Sequence, residues 1–545
     1  MNKRLSSLVL AAASLMSVCV ALPAQSAQKT YTNPVLNLDY SDPDVVAVGD
    51  DFYMTASSFV NAPALPILHS KDLVNWTIVN YALPAVEPLD HYATPQHGCG
   101  VWAPSIRYHN GEFYIYWGDP DYGVFMVKTK DPLGEWEKPV LVYPAKGIID
   151  TTPLWDEDGK AYLVNGWAAS RSGLNAIITV SEMAPDGKSL LEDPVLVYDG
   201  TYHGDFTIEG PKFYKRNGYY YILAPAGGVP TGWQVALRSK SPYGPYENKI
   251  VMAQGDTDIN GPHQGGWVET PDGESWFLNF QDRDYMGRVV HLNPMKWVND
   301  WPVIGVDKDG DGCGEPVRTY RMPVEGQPKY EMQVDDDFNT RDLGLQWQWN
   351  CNYDMTFGLP SDLGYYRIYG HKLTGDEANL WKVPNMLTQK FMADDFTATA
   401  KVKVVANADG QESGLIIMGR DYGAITIQRE GDNFLLKQLE CKAADKGKPQ
   451  TTETLATLKP TKAYQSGGRF VEEMDIWLRV HVAPGGECKF SYSLDGKKFI
   501  PCGKPFTARE GTWIGARVGF ISVQPAGKER GWMDLDDFKV TINKK

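Results

Sequence analysis

Short runs of alternating apolar and polar residues, separated by turn dipeptides, fill most of this chain and predict β-strands joined in hairpins. The first half shows no long amphipathic helical pattern. Instead, a turn followed by an aromatic-rich strand recurs in it. The copies are 49–54, 110–115, 158–163, 217–222 and 272–278.

This repeat sets the predicted architecture of residues 28–315. Successive copies are roughly 50 to 60 residues apart, the range expected for a four-stranded propeller blade with its loops. Five copies therefore predict a five-bladed β-propeller. A two-sheet sandwich is the structural alternative, but it would not explain a repeat of this length.

A different strand rhythm begins after the repeat ends. Residues 316–334 contain three prolines and mixed charges, which is typical of a connector between domains. Residues 335–545 then hold strand patterns such as 396–404 and 413–418, which predict a lectin-like, jelly-roll β-sandwich. The expected fold class is all-β throughout, with a propeller followed by a sandwich.

The first 27 residues have the pattern of an export signal. Lys3 and Arg4 precede an apolar run over 5–22, and small residues follow it. We therefore expect 1–27 to be a cleaved signal peptide and the mature protein to be periplasmic or extracellular. No later stretch is long enough to span a membrane.

Composition narrows the classes of partner. The net charge of -15 argues against nucleic acid or anionic membranes as partners. Aromatic residues make up 12% of the chain, which suits both blade cores and the stacking of sugar rings, and composition does not separate the two. The cysteines are scattered, with no C-x-x-C pair for zinc. Cys488 and Cys502 flank a predicted hairpin and could bridge.

Three carboxylic acids occupy equivalent places in the predicted propeller. Asp42, Asp150 and Glu209 each lie in an apolar or constrained segment shortly before the repeat signature of their own blade. The innermost strand of each blade lines a central channel, so side chains at these places should converge. An isolated acidic residue is usually a solvated turn residue, but three equivalent ones favour a catalytic site.

Glycoside hydrolysis needs such a set. One protonated acid donates to the leaving oxygen, and one carboxylate activates water or attacks the sugar. A third acid can orient the proton donor and raise its pKa by like-charge repulsion. These residues therefore indicate a glycosidase.

At these residues the sequence resembles glycoside hydrolase family 43, specifically its β-xylosidase and α-L-arabinofuranosidase members. The matching segments are 33–36, 41–44, 49–53, 57–59, 69–76, 102–105, 149–150 and 209–211. The family is known for a five-bladed propeller, in agreement with the repeat. The resemblance implies that Asp42 is the general base, Glu209 the general acid and Asp150 the residue that tunes and orients Glu209, with inversion at the anomeric centre.

Four further residues match less specific features of the family. The resemblance implies substrate-binding roles for His263 near the propeller axis and for Arg288 beside the pocket. Trp102 and Phe59 are candidate pocket walls for sugar stacking. A hydrogen-bonded core histidine and core aromatics are the alternatives for these positions.

Some positions depart from the family pattern. Asp44 stands where serine is common, Thr151 where proline is usual, and 264–266 replace the familiar residues after the histidine. None removes a catalytic carboxylate, but together they leave the identity of the sugar open.

No cofactor is expected, although two places could hold structural calcium. Asp337 and Asp537, near the ends of the predicted sandwich, resemble the acids that hold calcium in lectin-like domains. Residues 307–312 have the oxygen spacing of a calcium loop, but Arg318 replaces the expected bidentate glutamate. A calcium-free turn is the alternative there.

The expected function is removal of xylose or arabinofuranose units from plant hemicellulose, such as xylan, arabinoxylan or arabinan oligosaccharides. The sandwich resembles a module that narrows the pocket, which favours exo action. An endo-acting arabinanase or xylanase is the enzyme alternative. A non-catalytic glycan-binding propeller is a weaker one, because all three carboxylates are intact.

Overall fold

The structure is a computed structural model that describes residues 29–466 and 469–543. The predicted signal peptide, residues 1–27, lies outside the described residues. Five four-stranded antiparallel sheets form the first domain and confirm the predicted five-bladed propeller. The strands of blade 1 are Asp44–Val48, Asp51–Thr55, Ala64–Ser70 and Thr77–Leu83, and those of blade 2 are Trp102–His109, Glu112–Asp119, Gly123–Thr129 and Val140–Pro144. The strands of blade 3 are Ile148–Trp155, Ala161–Trp167, Ile177–Met183 and Val195–Asp199, and those of blade 4 are Lys212–Arg216, Tyr219–Ala226, Trp233–Ser239 and Glu247–Met252. The strands of blade 5 are Gly265–Glu269, Ser275–Asp282, Arg288–Val298 and Trp301–Ile304.

Every copy of the sequence repeat lies at the hairpin between the first and second strands of its blade. At two of these turns both loop residues have positive φ: 50° and 83° at Asn110 and Gly111, and 51° and 68° at Asn217 and Gly218. Two consecutive positive φ angles characterise the type I′ turn, whose twist matches that of the flanking strands. The Asn-Gly dipeptides therefore set the register of these hairpins.

The segment before blade 1 closes the propeller ring against blade 5. The Tyr40 amide donates to the Arg288 carbonyl over 2.9 Å. Thr30–Thr32 pairs with Thr319–Arg321, so the connector predicted at 316–334 contains a short strand. The start of the propeller is thereby fixed to its last blade.

Two packed sheets form the second domain and confirm the predicted sandwich. The first contains Gln348–Trp349, Leu387–Lys390, Arg517–Pro525, Glu412–Met418, Tyr422–Glu430, Asn433–Cys441 and Thr451–Leu458, with His371–Leu373 beside Arg517–Pro525. The second contains Gly358–Ser361, Tyr365–Tyr369, Trp532–Ile542, Phe396–Ala406, Arg469–Ala483, Glu487–Ser493 and Ile500–Thr507, with Lys462–Ser466 beside Arg469–Ala483.

Helices are short throughout the described chain. They are the α-helix Ala169–Ser172 and the 3-10 helices His91–Ala93, Gly200–Tyr202, Asp284–Met286 and Ala444–Lys446. In the part of the chain described, no helix has the length and apolar character needed to cross a membrane.

The cysteine bridge suggested by the hairpin is wrong. Cys488 and Cys502 lie on neighbouring strands, but the ladder pairs Cys488 with Phe506 and Cys502 with Phe490. The two thiols are therefore offset along the sheet, and both are free.

The two domains share one apolar core. A continuous cluster of buried side chains runs from Val60 and Leu65 in the propeller to Phe338 and Trp347 in the sandwich. Ala62 and Trp349 also exchange backbone hydrogen bonds of 3.0 and 2.7 Å across the boundary. A large apolar interface of this kind opposes relative domain motion, so the sandwich can contribute fixed groups to a propeller site.

Candidate active site

The three carboxylates predicted from sequence come together in one pocket. Asp42, Asp150 and Glu209 line a cavity of about 350 Å³ at the starts of the inner strands of blades 1, 3 and 4. The pocket brings together residues far apart in the chain because each blade presents the same end of its inner strand to the same space.

Strained backbone conformations cluster around this pocket. Five of its non-glycine lining residues have φ between 32° and 56°: Asp42, Phe59, Ala103, Asp150 and Thr207. The blade 3 ladder also shifts register at Asp150, and the blade 2 ladder shifts at Ala103. Such bulges aim side chains away from the regular sheet, and strain of this kind concentrates at functional sites.

Asp42 is held in a single orientation by three donors. The hydroxyls of Ser41 and Ser57 donate to its Oδ2 over 2.8 and 2.6 Å. The Arg288 guanidinium lies 3.3 Å from its Oδ1. Charge-assisted hydrogen bonds of this kind favour a carboxylate with one oxygen directed at a fixed point, as a general base requires.

Glu209 has the character of a proton donor. Burial against the pocket walls, followed by the charges of Asp150 and Asp42, raises the pKa of Glu209 to about 8, although the Arg288 charge opposes the shift. One third of the side chain remains exposed to the pocket. Glu209 therefore keeps its proton at neutral pH and presents it to a bound molecule.

Asp150 carries the charge that assists Glu209. Burial and the charge of Asp42 raise the pKa of Asp150 to about 6, while the Gly210 amide and the Lys212 ammonium oppose the rise. The Gly210 amide donates to Asp150 Oδ2 over 2.7 Å, and the Gln264 amide lies 3.4 Å from the same oxygen. Because Asp150 has the lower pKa, it ionises first and Glu209 retains its proton.

The other predicted site residues are placed in two ways. Phe59, Trp102 and Arg288 line the pocket, and the rings of Phe59 and Trp102 meet edge to face with centroids 6.5 Å apart. His263 instead lies buried behind the acid, with Nε2 3.5 Å from Glu209 Oε1. Burial lowers the pKa of His263 to about 3, so this is a contact with a neutral ring. The structure thus places His263 outside the pocket lining, because its ring turns inward onto Phe280.

One residue of the pocket wall, Trp513, was not predicted from the sequence. This residue belongs to a loop of the sandwich, yet its ring lines the propeller pocket and lies 5.6 Å from the Arg288 guanidinium. Its side chain is 48% exposed. The second domain therefore closes one side of the site.

Comparisons with known proteins agree with this geometry. The model of the family described as "Glycosyl hydrolases family 43" matches residues 31–302, and that of "Beta xylosidase C-terminal Concanavalin A-like domain" matches residues 335–541. The chain is 38% identical to a putative beta-xylosidase of Xylanibacter ruminicola, over 90% of this chain and 86% of that one.

The chain belongs to glycosyl hydrolase family 43. It is also 32% identical to a non-reducing end alpha-L-arabinofuranosidase of Bacteroides ovatus, over 80% of this chain and 84% of that one. A crystal structure of a family 43 protein from Bacillus licheniformis superposes with a TM-score of 0.80 at 27% identity, covering 94% of this chain and all of that chain. The chain is accordingly a glycosidase.

One departure from the family pattern has a structural explanation. Asp44, fully buried, accepts hydrogen bonds from the Ile106 amide and the Arg107 guanidinium over 2.9 and 2.6 Å. Lys212 is also fully buried and has no hydrogen-bond partner for its amine within the described chain. Burial lowers the pKa of Lys212, while the charges of Asp44 and Asp150 oppose the shift and favour its protonated form. Asp44 thus supplies the negative charge that pairs with Arg107 and favours protonation of Lys212 near the pocket carboxylates.

Replacing Asp44 with serine, the common family residue, should therefore destabilise the protein. The change leaves Arg107 and Lys212 buried without their carboxylate, which should cost about 3–5 kcal/mol. The midpoint of denaturant unfolding, followed by tryptophan fluorescence, measures the effect. Asp362→Ser breaks the exposed pair with Arg341, which solvent screens, and should leave the midpoint of unfolding almost unchanged. Equal shifts of the unfolding midpoint in the two variants would show that Asp44 does not stabilise the buried Arg107 and Lys212.

The calcium predictions remain untested, and the geometry does not favour the pair in the sandwich. The Lys539 ammonium lies 3.3 Å from Asp537 Oδ1, and it also faces Asp337. This ammonium supplies the positive charge that calcium would bring, so the residues do not fit an ion there. Within the described chain, Asp307, Asp309 and Asp311 form the one group of three or more metal-ligating side chains whose ligand atoms all lie within 4.8 Å of one another.

The pH dependence should reveal the influence of Asp150. Glu209 must be protonated to act, so kcat/KM should fall as pH rises through about 8. Asp150→Asn removes a negative charge that raises the Glu209 pKa, so this basic limb should move to lower pH. The pH profile of kcat/KM measures the shift. Asp284→Asn, on the neighbouring rim, should leave the limb in place. An unmoved limb in Asp150→Asn would show that Asp150 does not tune the acid.

Proposed function

We propose that this chain is an exo-acting glycosidase that removes single xylose or arabinofuranose units from hemicellulose oligosaccharides by single displacement with inversion. The observation that carries the proposal is a small pocket, closed on one side by the sandwich loop that bears Trp513. It holds a carboxylate fixed by hydrogen bonds, Asp42, and a carboxyl group whose pKa is raised to about 8, Glu209. A volume of about 350 Å³ is near the lower end for ligand pockets, which suits a terminal sugar better than an internal stretch of polymer.

In the proposed reaction, Asp42 accepts a proton from a water molecule as that water attacks the anomeric carbon. Glu209 gives its proton to the glycosidic oxygen as the bond to the leaving group breaks. Each turnover leaves Asp42 protonated and Glu209 ionised, and exchange with solvent restores both. Asp150 assists by keeping Glu209 protonated until the bond breaks, and the face of Trp102 or Phe59 offers an apolar surface to the sugar.

The relatives support both candidate sugars. One similar protein is named a putative beta-xylosidase and another a non-reducing end alpha-L-arabinofuranosidase. The second name specifies the non-reducing end of a chain, which supports the proposed exo action. An endo-acting enzyme would need an open cleft, which Trp513 obstructs.

Release of p-nitrophenol from the β-D-xylopyranoside and from the α-L-arabinofuranoside tests the proposal. Turnover of either substrate by the wild type, lost in Asp42→Asn, would support the exo function and name the preferred sugar. If the wild type cleaved neither aryl glycoside but cut polymeric xylan or arabinan to mid-length products, the proposed exo action would be contradicted.

The remaining part of the proposal concerns location. We propose export to the periplasm or the outside of the cell, supported by the basic, apolar and small residues in sequence over 1–27. N-terminal sequencing of the mature protein should show that these residues have been removed; an intact Met1 would contradict export by a cleaved signal.

A further inference from the structure

One buried carboxylate joins the two domains at the edge of the pocket. Asp39 is 3% exposed. Its Oδ1 accepts a hydrogen bond from the Arg288 amide over 2.9 Å, and its Oδ2 accepts one from the Gly515 amide over 3.0 Å. The first donor belongs to propeller blade 5 and the second to the sandwich, so a single side chain fixes both backbones.

The two backbones touch directly beside Asp39. A Cβ on Gly287 would lie 2.5 Å from both Asp39 Oδ1 and the Gly515 nitrogen, and a Cβ on Gly515 would lie 2.7 Å from Met286 backbone atoms. The Ala516 amide also donates across the boundary to the Tyr285 carbonyl over 2.7 Å. At this point the sandwich loop therefore packs directly on the backbone of the propeller turn 285–287.

Asp39 fixes the two backbone segments that carry the pocket residues Trp513 and Arg288. Trp513 lies just before Gly515, in a left-handed conformation with φ of 64°. Arg288 donates through Nη1 to the Ser41 hydroxyl over 2.7 Å, and the same nitrogen lies 3.3 Å from Asp42 Oδ1. The distance between the indole and the guanidinium, which bound the pocket on one side, thus depends on the contacts that Asp39 makes.

Positive groups surround this carboxylate. The Lys390 ammonium, on a sandwich strand, donates to the Asp39 carbonyl over 2.6 Å. Burial lowers the pKa of Lys390 to about 8 even though the Asp39 charge opposes the shift, and Arg517 adds to the lowering. Lys390 thus ties the main chain of the same residue to the sandwich.

We propose that Asp39 is a positioning residue that strengthens binding of the terminal sugar by fixing Trp513 over Arg288. It touches no substrate and acts through the two backbones that it joins. The inference rests on the proposed function, because Trp513 is taken as a wall of the sugar pocket. Loss of the Asp39 contacts should let the sandwich loop move and so weaken binding of the terminal sugar.

Asp39→Asn provides the test, because the amide keeps the shape but replaces one acceptor with an NH2 group that faces a backbone N–H. We expect KM for the preferred aryl glycoside to rise about tenfold, with a smaller change in kcat. Asp394→Asn is the matched control. It weakens another contact across the domains, with Arg283, Asn37 and the Tyr285 hydroxyl. Within the described chain Asp394 makes no hydrogen bond to the loop that bears Trp513, so KM should stay within about twofold.

A double-mutant cycle with Trp513→Ala separates positioning from general weakening of the interface. If Asp39 acts through Trp513, then Asp39→Asn should have little further effect on KM in the Trp513→Ala background. Independent, multiplicative effects of the two changes, or equal effects of Asp39→Asn and Asp394→Asn, would overturn the proposal.

A second readout needs no turnover and so keeps this proposal separate from the proposed function. In protein labelled with 5-fluorotryptophan, the ¹⁹F signal of Trp513 is assigned by its loss in Trp513→Phe. That signal should shift or broaden in Asp39→Asn and stay unchanged in Asp394→Asn. An unchanged signal in Asp39→Asn would overturn the role of Asp39 even if the enzyme cleaves neither aryl glycoside.

Discussion

Replacing Asp42 with asparagine is expected to lower kcat by about 10³-fold on every glycoside that the wild type cleaves. The amide keeps the volume of the side chain and can still accept from Ser57, but it cannot take a proton from the attacking water. KM should change little, because the pocket walls are intact. Steady-state kinetics on the preferred aryl glycoside measures both constants.

The matched control for Asp42 is Asp282→Asn. Asp282 lies 3.9 Å from the Arg288 guanidinium on the side away from Asp42, so it shares the same cation without facing the catalytic acids. Its loss should reduce kcat by less than about tenfold. If Asp42→Asn retained a tenth of wild-type activity, or if the two variants lost the same amount, Asp42 would not be the general base.

Replacing Glu209 with alanine is expected to have an effect that depends on the leaving group. A sugar leaving group needs a proton, so kcat for an oligosaccharide should fall about 10³-fold. A dinitrophenolate leaves without protonation, so activity on the corresponding aryl glycoside should fall far less. The basic limb near pH 8, which reports ionisation of Glu209, should also disappear. Equal losses on both substrates would rule out Glu209 as the proton donor.

The propeller and its three acids could be predicted because their signals are local and repeated. Each blade has its own turn and aromatic strand, and each acid keeps a fixed place relative to them. Asp42, Asp150 and Glu209 could therefore be aligned without knowledge of any contact. The structure then supplied what the sequence lacked, namely a shared pocket and an order of pKa values.

The remaining pocket features depend on contacts between distant residues that leave no local pattern. Trp513 enters the propeller site from a sandwich loop, and nothing around it in sequence marks it as a pocket residue. The same holds for Asp39, whose carboxylate meets Gly515. Sequence showed Asp44 to be unusual but could not show its partner Arg107.

His263 shows the opposite limitation. A motif marked it as a site residue, but sequence does not fix the direction of a side chain. The structure turns its ring inward, where it contacts Glu209 and Phe280 instead of lining the pocket. The motif therefore indicated the place of His263 in the fold but not the direction of its side chain, on which any contact with a substrate depends.

Proton NMR during the first minutes of hydrolysis of the preferred glycoside in D2O shows directly whether the reaction inverts the anomeric centre, as it must if Asp42 is the general base. We expect the free monosaccharide to appear first as the anomer opposite to that of the substrate: α-D-xylose from a β-xyloside, or β-L-arabinofuranose from an α-arabinofuranoside. Mutarotation then brings in the other anomer. First appearance of the retained anomer would make Asp42 a nucleophile, and first appearance of internal fragments from an oligosaccharide would contradict exo action.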